Sequence, residues 1–400
     1  MSGASASGAR CDAASVSAGG RYLIRGRVIL LACGAFGLLT GLYGGLWRLG
    51  WALPHGGGLA GLHGPLMICG LFGTLISLER AVAIGRGWSY GAPALSAAGS
   101  LALIAGLPPT VGMSCLVLGA AILVVASCLV VLRQPALFAW TLLCGALALL
   151  VGDILWAAGA AVPDVVGWWL TFLIVTIAGE RVELGRVLAP KRGSEALVLF
   201  AVGLLVAGAW NGLADNNGAT LFGVGLFACA AWLVRHDIAL RTVRLTGQTR
   251  FSAVCMIMGF VWLGVAGIVL IAIPPSGSAF GYDLSLHAIS IGFVFSMVFG
   301  HALIIFPAVT GLRVLYFPAM YGPLGLLHAA VLLRAAGGLL EDHALRLWSG
   351  PLTIVALVVF AVCMTIGARA ARHESAAAMP DNAASGQAVV IAAGSDSAGT

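Results

Sequence analysis

The sequence predicts an all-α fold, a polytopic membrane helix bundle of about 12 transmembrane helices with both termini cytoplasmic. Three observations predict it. Of the 400 residues, 60% are apolar and only 9% charged, and the mean hydropathy of +1.03 excludes an ordinary soluble domain. Twelve apolar stretches follow one another, at about residues 28–48, 60–82, 88–107, 110–132, 136–160, 165–188, 196–213, 219–240, 251–273, 282–306, 318–338 and 347–370. Each approaches the ~20 residues that cross a hydrocarbon core. With the N-terminus inside, 18 of the 21 Lys and Arg fall in inner segments and only Arg48, Arg334 and Arg346 fall outside, as the positive-inside rule requires.

Residues 1–26 are rich in Ala, Ser and Gly without an apolar period and read as a disordered cytoplasmic tail. No short apolar core with a small-residue cleavage site precedes the first full-length span, so a cleavable signal is not expected. The membrane domain takes residues 27–372, and residues 373–400 form a second disordered cytoplasmic tail. Trp47, Trp51, Trp88, Trp168, Trp169 and Trp348 stand near span ends, where indole anchors at the headgroup level. The inner loop at 241–250 carries Arg241, Arg244 and Arg250, and the outer connections are short and rich in Gly and Pro. The 56 glycines fit close helix packing in lipid. The net charge of +6 is the inner Lys/Arg bias and points to no nucleic-acid partner, so the expected surroundings are lipid. The nine cysteines form no C-x-x-C pair and read as small apolar fillers. Gly87 to Gly91 spells G-x-S-x-G and Gly56 to Gly61 spells G-x-G-x-x-G, but no strand precedes either, so both are chance matches.

A weak internal echo joins two helix ends. Glu79 and Arg80 close the second span, while Glu180, Arg181 and Glu183 close the sixth. At inner helix ends such groups can anchor propionates, begin a proton path, or form interfacial ion pairs. Asp153, in the fifth span, is an isolated carboxylate.

Four histidines, His63, His287, His301 and His328, lie within spans, where ionisable groups are costly. The second and tenth helices run in the same direction, with His63 about four residues into one and His287 about five into the other. At ~1.5 Å per residue both lie roughly 6–8 Å below the outer boundary. Two imidazoles at one depth can clamp a metal ion or ligate a porphyrin iron from its two faces. Gly64 and Pro65 follow His63, removing bulk and freeing a carbonyl. His287 and His301 are 14 residues apart, roughly 21 Å along the axis and within about 40° of one face. His301 shares an expected depth with His328, which marks them as candidates for a second centre or a proton relay. The plain alternative for all four is hydrogen bonding between helices.

Twelve helices with a histidine near the outer end of the second and tenth resemble subunit I of the heme–copper oxidases, whose low-spin heme is held there. The segment from Leu286 to Gly292, followed by Met297 and Gly300, more closely resembles the NnrS family of heme- and copper-containing twelve-span bacterial membrane proteins associated with nitric-oxide stress. The resemblance implies heme b on His63 and His287. It implies no copper site, because the sixth and seventh helices carry no histidine, and Ser285 stands where the oxidases carry a second one on the tenth. The expected protein is therefore a bacterial inner-membrane heme protein acting in electron transfer or nitric-oxide and small-gas chemistry. It is a membrane oxidoreductase without a complete binuclear oxygen-reducing site, supplied by a quinol or a cytochrome. The rival reading is a proton-coupled secondary transporter, for which inner arginines and Gly-rich spans are equally apt.

Overall fold

The computed structural model describes residues 5–185, 193–275 and 278–377, with side chains from Tyr22 to Glu374 within these ranges. Its long helices are α1 (Ser5–Leu49), α2 (His63–Ile84), α3 (Gly91–Ile104), α4 (Pro109–Arg133), α5 (Leu137–Ala157), α6 (Val162–Gly185), α7 (Ser194–Asn211), α8 (Asn216–His236), α9 (Gly247–Ala272), α10 (Ala279–Thr310), α11 (Pro318–Leu339) and α12 (His343–Ala377). No strand occurs among the described residues. Eleven of these helices are long and apolar enough to cross a membrane. The chain is thus an all-α, multi-pass membrane bundle.

The exception is α3, expected over 88–107. It has 14 residues of α-helix, preceded by a 3-10 turn at Gly87–Tyr90. The two add to about 29 Å, close to the ~30 Å hydrocarbon core. Gly106 in the left-handed region and Pro108 end it early. At the other termini, α1 begins at Ser5, inside the segment assigned to the N-terminal tail, and α12 runs on to Ala377. The rest of the expected C-terminal tail, from 378 onward, lies outside the described residues, as do Arg186, Lys191 and Arg192 of the inner charge count.

The helix limits follow local chemistry. Pro109 opens α4 at the position where a missing N–H costs nothing. Asp215 caps α8 by accepting from the amides of Asn217 and Gly218 at 2.8 and 3.1 Å. Gly85 and Gly311 end α2 and α10 in the left-handed conformation.

Sequence neighbours joined by short loops pack as hairpins: α3 with α4, α5 with α6, α7 with α8, and α11 with α12. The centre of the bundle is α6, in which every residue from Val165 to Thr176 is buried, as expected of a helix apolar all round. Between α8 and α9 the backbones touch, since a Cβ on Gly267 would stand 2.6 Å from the Gly223 carbonyl oxygen. The periphery exposes large apolar side chains such as Leu39, Leu118, Leu132, Phe200, Val261 and Val358, a surface made for lipid rather than water.

Two helices depart from α geometry. Residues Leu66–Phe72 of α2 and Ala288–Phe295 of α10 form π-helical turns. The first begins one residue after Pro65, whose ring cannot supply an amide to the ladder. Each π segment begins within three residues of a spanning histidine, and such turns concentrate at functional sites.

Candidate functional site

At one end of the bundle α1, α2, α6, α10, α11 and α12 surround a cavity of about 370 Å³, well within the ~300–1,000 Å³ of ligand sites. Its walls are apolar, with Met67, Phe72, Val166, Leu170 and Phe295 among them. Its ionisable lining groups converge, with His63, His287, Asp283, Arg48, Arg334 and Arg346 among them, and Tyr282, Ser290 and Thr353 add hydroxyls.

His63 and His287 face one another across this space, with ring centroids 6.4 Å apart and planes 16° from parallel. That separation has a chemical meaning. An imidazole nitrogen lies ~2.0–2.1 Å from a first-row metal, and the ring centroid about 1.1 Å beyond it, so two rings on opposite sides of one ion stand about 6.3 Å apart. Each Nδ1 is already committed. His63 Nδ1 lies 2.7 Å from the carbonyl oxygen of Gly41, and His287 Nδ1 lies 2.7 Å from that of Asp283. A carbonyl only accepts, so both Nδ1 atoms carry the proton and both Nε2 lone pairs are left for a ligand. Metal-binding histidines are oriented in this way.

The helix starts differ from the sequence expectation, yet the histidines still meet. His63 is the first residue of α2 and not about the fourth, because the short helix Gly56–Ala60 takes up the preceding chain. His287 lies eight residues after the start of α10. The two shifts have opposite sense, and the ends of α2 and α10 are not level.

The first helix makes room for His63. A Cβ on Gly45 would stand 2.8 Å from its Cε1 and Nδ1, and Gly41 supplies the hydrogen-bond acceptor. On the other side, the Asp283 carboxylate takes two 2.8 Å hydrogen bonds from Nε and Nη2 of Arg334. Its oxygens lie 3.7 Å from Arg346 Nη2 and 3.4 Å from His287 Nδ1. The Nε of Arg346 is buried without a partner. Below the histidines, Phe72 and Phe295, the last residues of the two π segments, meet edge to face at 5.6 Å.

Two imidazoles alone hold a bare ion poorly, and among the described residues no group of three or more His, Cys, Asp or Glu surrounds such an ion. The pair suits a metal whose remaining donors come with it, in a flat chelate.

The remaining candidates lie elsewhere. Glu79, Arg80, Glu180, Arg181 and Glu183, expected as acid-group or proton-path contacts, do not line the cavity. They stand at the far ends of α2 and α6, where Arg80 Nη2 pairs with Glu180 Oε1 at 3.5 Å, so the two echoing segments bind each other. Arg181 turns inward, donating from Nη2 to His301 Nε2 at 2.7 Å, with Met256 Sδ at 3.2 Å and Asp237 Oδ2 at 3.9 Å from Nη1. His301 Nδ1 donates to Met297 O at 2.7 Å. With both nitrogens engaged, His301 has no lone pair free for a metal. His328 Nδ1 accepts from Trp262 Nε1 at 2.9 Å, while its Nε2 is buried without a partner. Among the described residues His301 bonds Arg181 and His328 bonds Trp262, and no hydrogen bond joins the two histidines. Trp262 also fills the face of α10 at Gly292, where a Cβ would meet its ring at 2.5 Å. Asp153 accepts from Trp169 Nε1 at 2.9 Å and from Cys69 Sγ at 3.2 Å, a satisfied buried carboxylate.

Sequence reading missed Arg48, Arg334, Arg346, Asp283, Gly41 and Gly45. A signal for the arginines was present, since they are the three exceptions to the inner charge bias. All three exceptions line one cavity.

A family model described as a domain of unknown function matches residues 27–369. No curated protein matches the sequence.

Proposed function

The chain belongs to the DUF8744 family, and we propose that it is a heme b protein of the bacterial inner membrane whose work is electron transfer, with His63 and His287 as the residues that would hold the heme iron. The observation that carries this reading is the 6.4 Å, near-parallel imidazole pair with both Nε2 atoms free. Charge supports it. Arg48, Arg334 and Arg346 against Asp283 leave two positive charges beside an apolar cavity. A cofactor bearing two carboxylates neutralises them, and uncompensated charge at membrane depth is expensive. The buried, partnerless Nε of Arg346 is a donor awaiting such an acid group.

Heme b supplies a one-electron couple when bound. The chain's residues do the rest. Gly41 O and Asp283 O fix the imidazole tautomers, the arginines hold the acid edge, and Met67, Leu170 and the Phe72–Phe295 pair exclude water. With two imidazoles available to hold the iron, the residues present would suit electron transfer better than direct binding of nitric oxide or another small gas. Similarity to the NnrS family remains part of this reading, as does donation of electrons by a quinol or a cytochrome. In the same reading α3 crosses as a twelfth span, both termini are cytoplasmic, and the cavity lies toward the outer side, where the positive-inside rule puts Arg48, Arg334 and Arg346.

The test is an absorption spectrum of the detergent-purified protein, oxidised and dithionite-reduced, with a pyridine hemochrome assay. The expected result is a sharp reduced α-band that disappears in His63→Ala and in His287→Ala. A folded, colourless protein from heme-sufficient cells overturns the reading. It would favour the proton-coupled transporter, for which the same excess of arginine in the cavity would receive a small dianion.

A further inference from the structure

We infer that Asp283 is a positioning residue that sets the reduction potential of the site through His287, with Arg334 and Arg346 moderating its charge. The inference rests on the heme reading above and concerns a residue that reading does not need as a ligand.

Asp283 stands four residues before His287, so the two side chains share a face of α10. It holds His287 in two ways. Its backbone carbonyl takes the Nδ1 proton at 2.7 Å, and its carboxylate Oδ1 lies 3.4 Å from the same nitrogen. The first contact fixes the tautomer and needs no side chain. The second places a negative charge beside the donated proton, which makes the imidazole a stronger electron donor and favours the more positive state of a metal it ligates. The same carboxylate is bound by both 2.8 Å hydrogen bonds of Arg334, with Arg346 3.7 Å away. Its charge is thereby partly neutralised and its position fixed. His63 Nδ1 meets the carbonyl of Gly41, and among the described residues no carboxylate is hydrogen-bonded to its ring. The Asp283 carboxylate is thus in direct contact with the His287 imidazole alone of the two.

A structural alternative exists: the Asp283–Arg334 pair ties α10 to α11 and does nothing else. The two roles differ in what they move. A tie affects stability, whereas a positioning charge affects potential with opposite signs for its two members. The experiment is a redox titration of the full-length protein in detergent for wild type, Asp283→Asn, Arg334→Gln and the double variant, followed at the α-band.

Asp283→Asn keeps the backbone carbonyl and loses the charge. The expected result is a retained α-band and a rise in midpoint potential of about 59 mV, a tenfold change in the one-electron equilibrium. Arg334→Gln lowers the potential, and the double variant lies between the singles. A native α-band with an unchanged potential in Asp283→Asn overturns the inference. If a single variant fails to fold because it strands a buried charge, Asp283→Glu carries the test. It keeps the charge and moves it by one methylene, so the low-spin ferric EPR signal and the potential both shift; if neither moves, the inference falls. A wild-type protein without a heme spectrum sinks the underlying reading before any variant is compared.

Discussion

Gly45 lies so close to His63 that any side chain on it would occupy the ring's place: a Cβ there would stand 2.8 Å from both Cε1 and Nδ1. The histidine and the glycine belong to different helices, and each is the reason for the other's position.

Gly45→Ala should therefore push His63 off the line to His287. The expected result is several-fold less heme per protein and a weakened α-band, with the helix itself slightly favoured by alanine. Gly203→Ala, at a site with no atom within 4 Å of the new Cβ, is the control. Equal heme content in the two variants would show that His63 tolerates displacement.

Arg334 and Arg346 should differ in kind. Removing Arg334 takes both 2.8 Å hydrogen bonds from the partly buried Asp283 carboxylate, and hydrogen bonds to charged groups contribute about 1.5–3 kcal/mol, read as a fall in melting temperature. Arg346 is more exposed and touches Asp283 only at 3.7 Å. Arg346→Gln should leave the melting temperature nearly unchanged and speed transfer of heme to apomyoglobin. Equal effects on both readouts would deny the arginines separate roles.

The far cluster should be spectrally silent. His301→Ala takes away the acceptor of Arg181 Nη2, and an orphaned buried donor costs about 1–3 kcal/mol, more for a charged group. The melting temperature should fall while the α-band and its intensity per protein stay as in wild type. Loss of a heme-type band in this variant would restore a second centre.

Sidedness is open to chemical labelling. Cysteine placed at Glu341, in the exposed α11–α12 turn, should react with a membrane-impermeant maleimide in spheroplasts, and cysteine at Arg244 should not. The reverse pattern would invert the topology and put the cavity on the cytoplasmic side.

Much of the bundle was legible because lipid permits few solutions. Apolar runs of fixed length must be helices, and charge bias orders their ends. The pairing of His63 with His287 was expected from equal heights along parallel helices. The helices start elsewhere than the apolar runs suggest, however, and the two rings meet because the ends of α2 and α10 are not level. Counting residues gave height without direction around the axis, however, and direction decided the rest. His301 and His328 have similar expected heights but turn to Arg181 and Trp262. The cradle at Gly41 and Gly45 lies some twenty residues from His63, and Arg334 lies 51 from Asp283. No periodicity within a single helix encodes such partners. The π segments were also invisible, since one extra residue per turn leaves no mark on composition.

The Phe72–Phe295 contact, at the ends of the two π segments, lines the cavity that holds His63 and His287. His287 lies about 12 Å along α10 from its start, eight residues at ~1.5 Å each, leaving well over half of a ~30 Å core beyond it. The voltage across a living membrane falls mainly through that remaining slab. An electron arriving from the near side crosses the smaller part of the drop, at less than about 1 kcal/mol per 100 mV out of the ~2.3 for full passage. On the proposed heme reading the site would therefore feel about 40% of the membrane voltage, so electron exchange from the near side would move only part of a charge across the membrane.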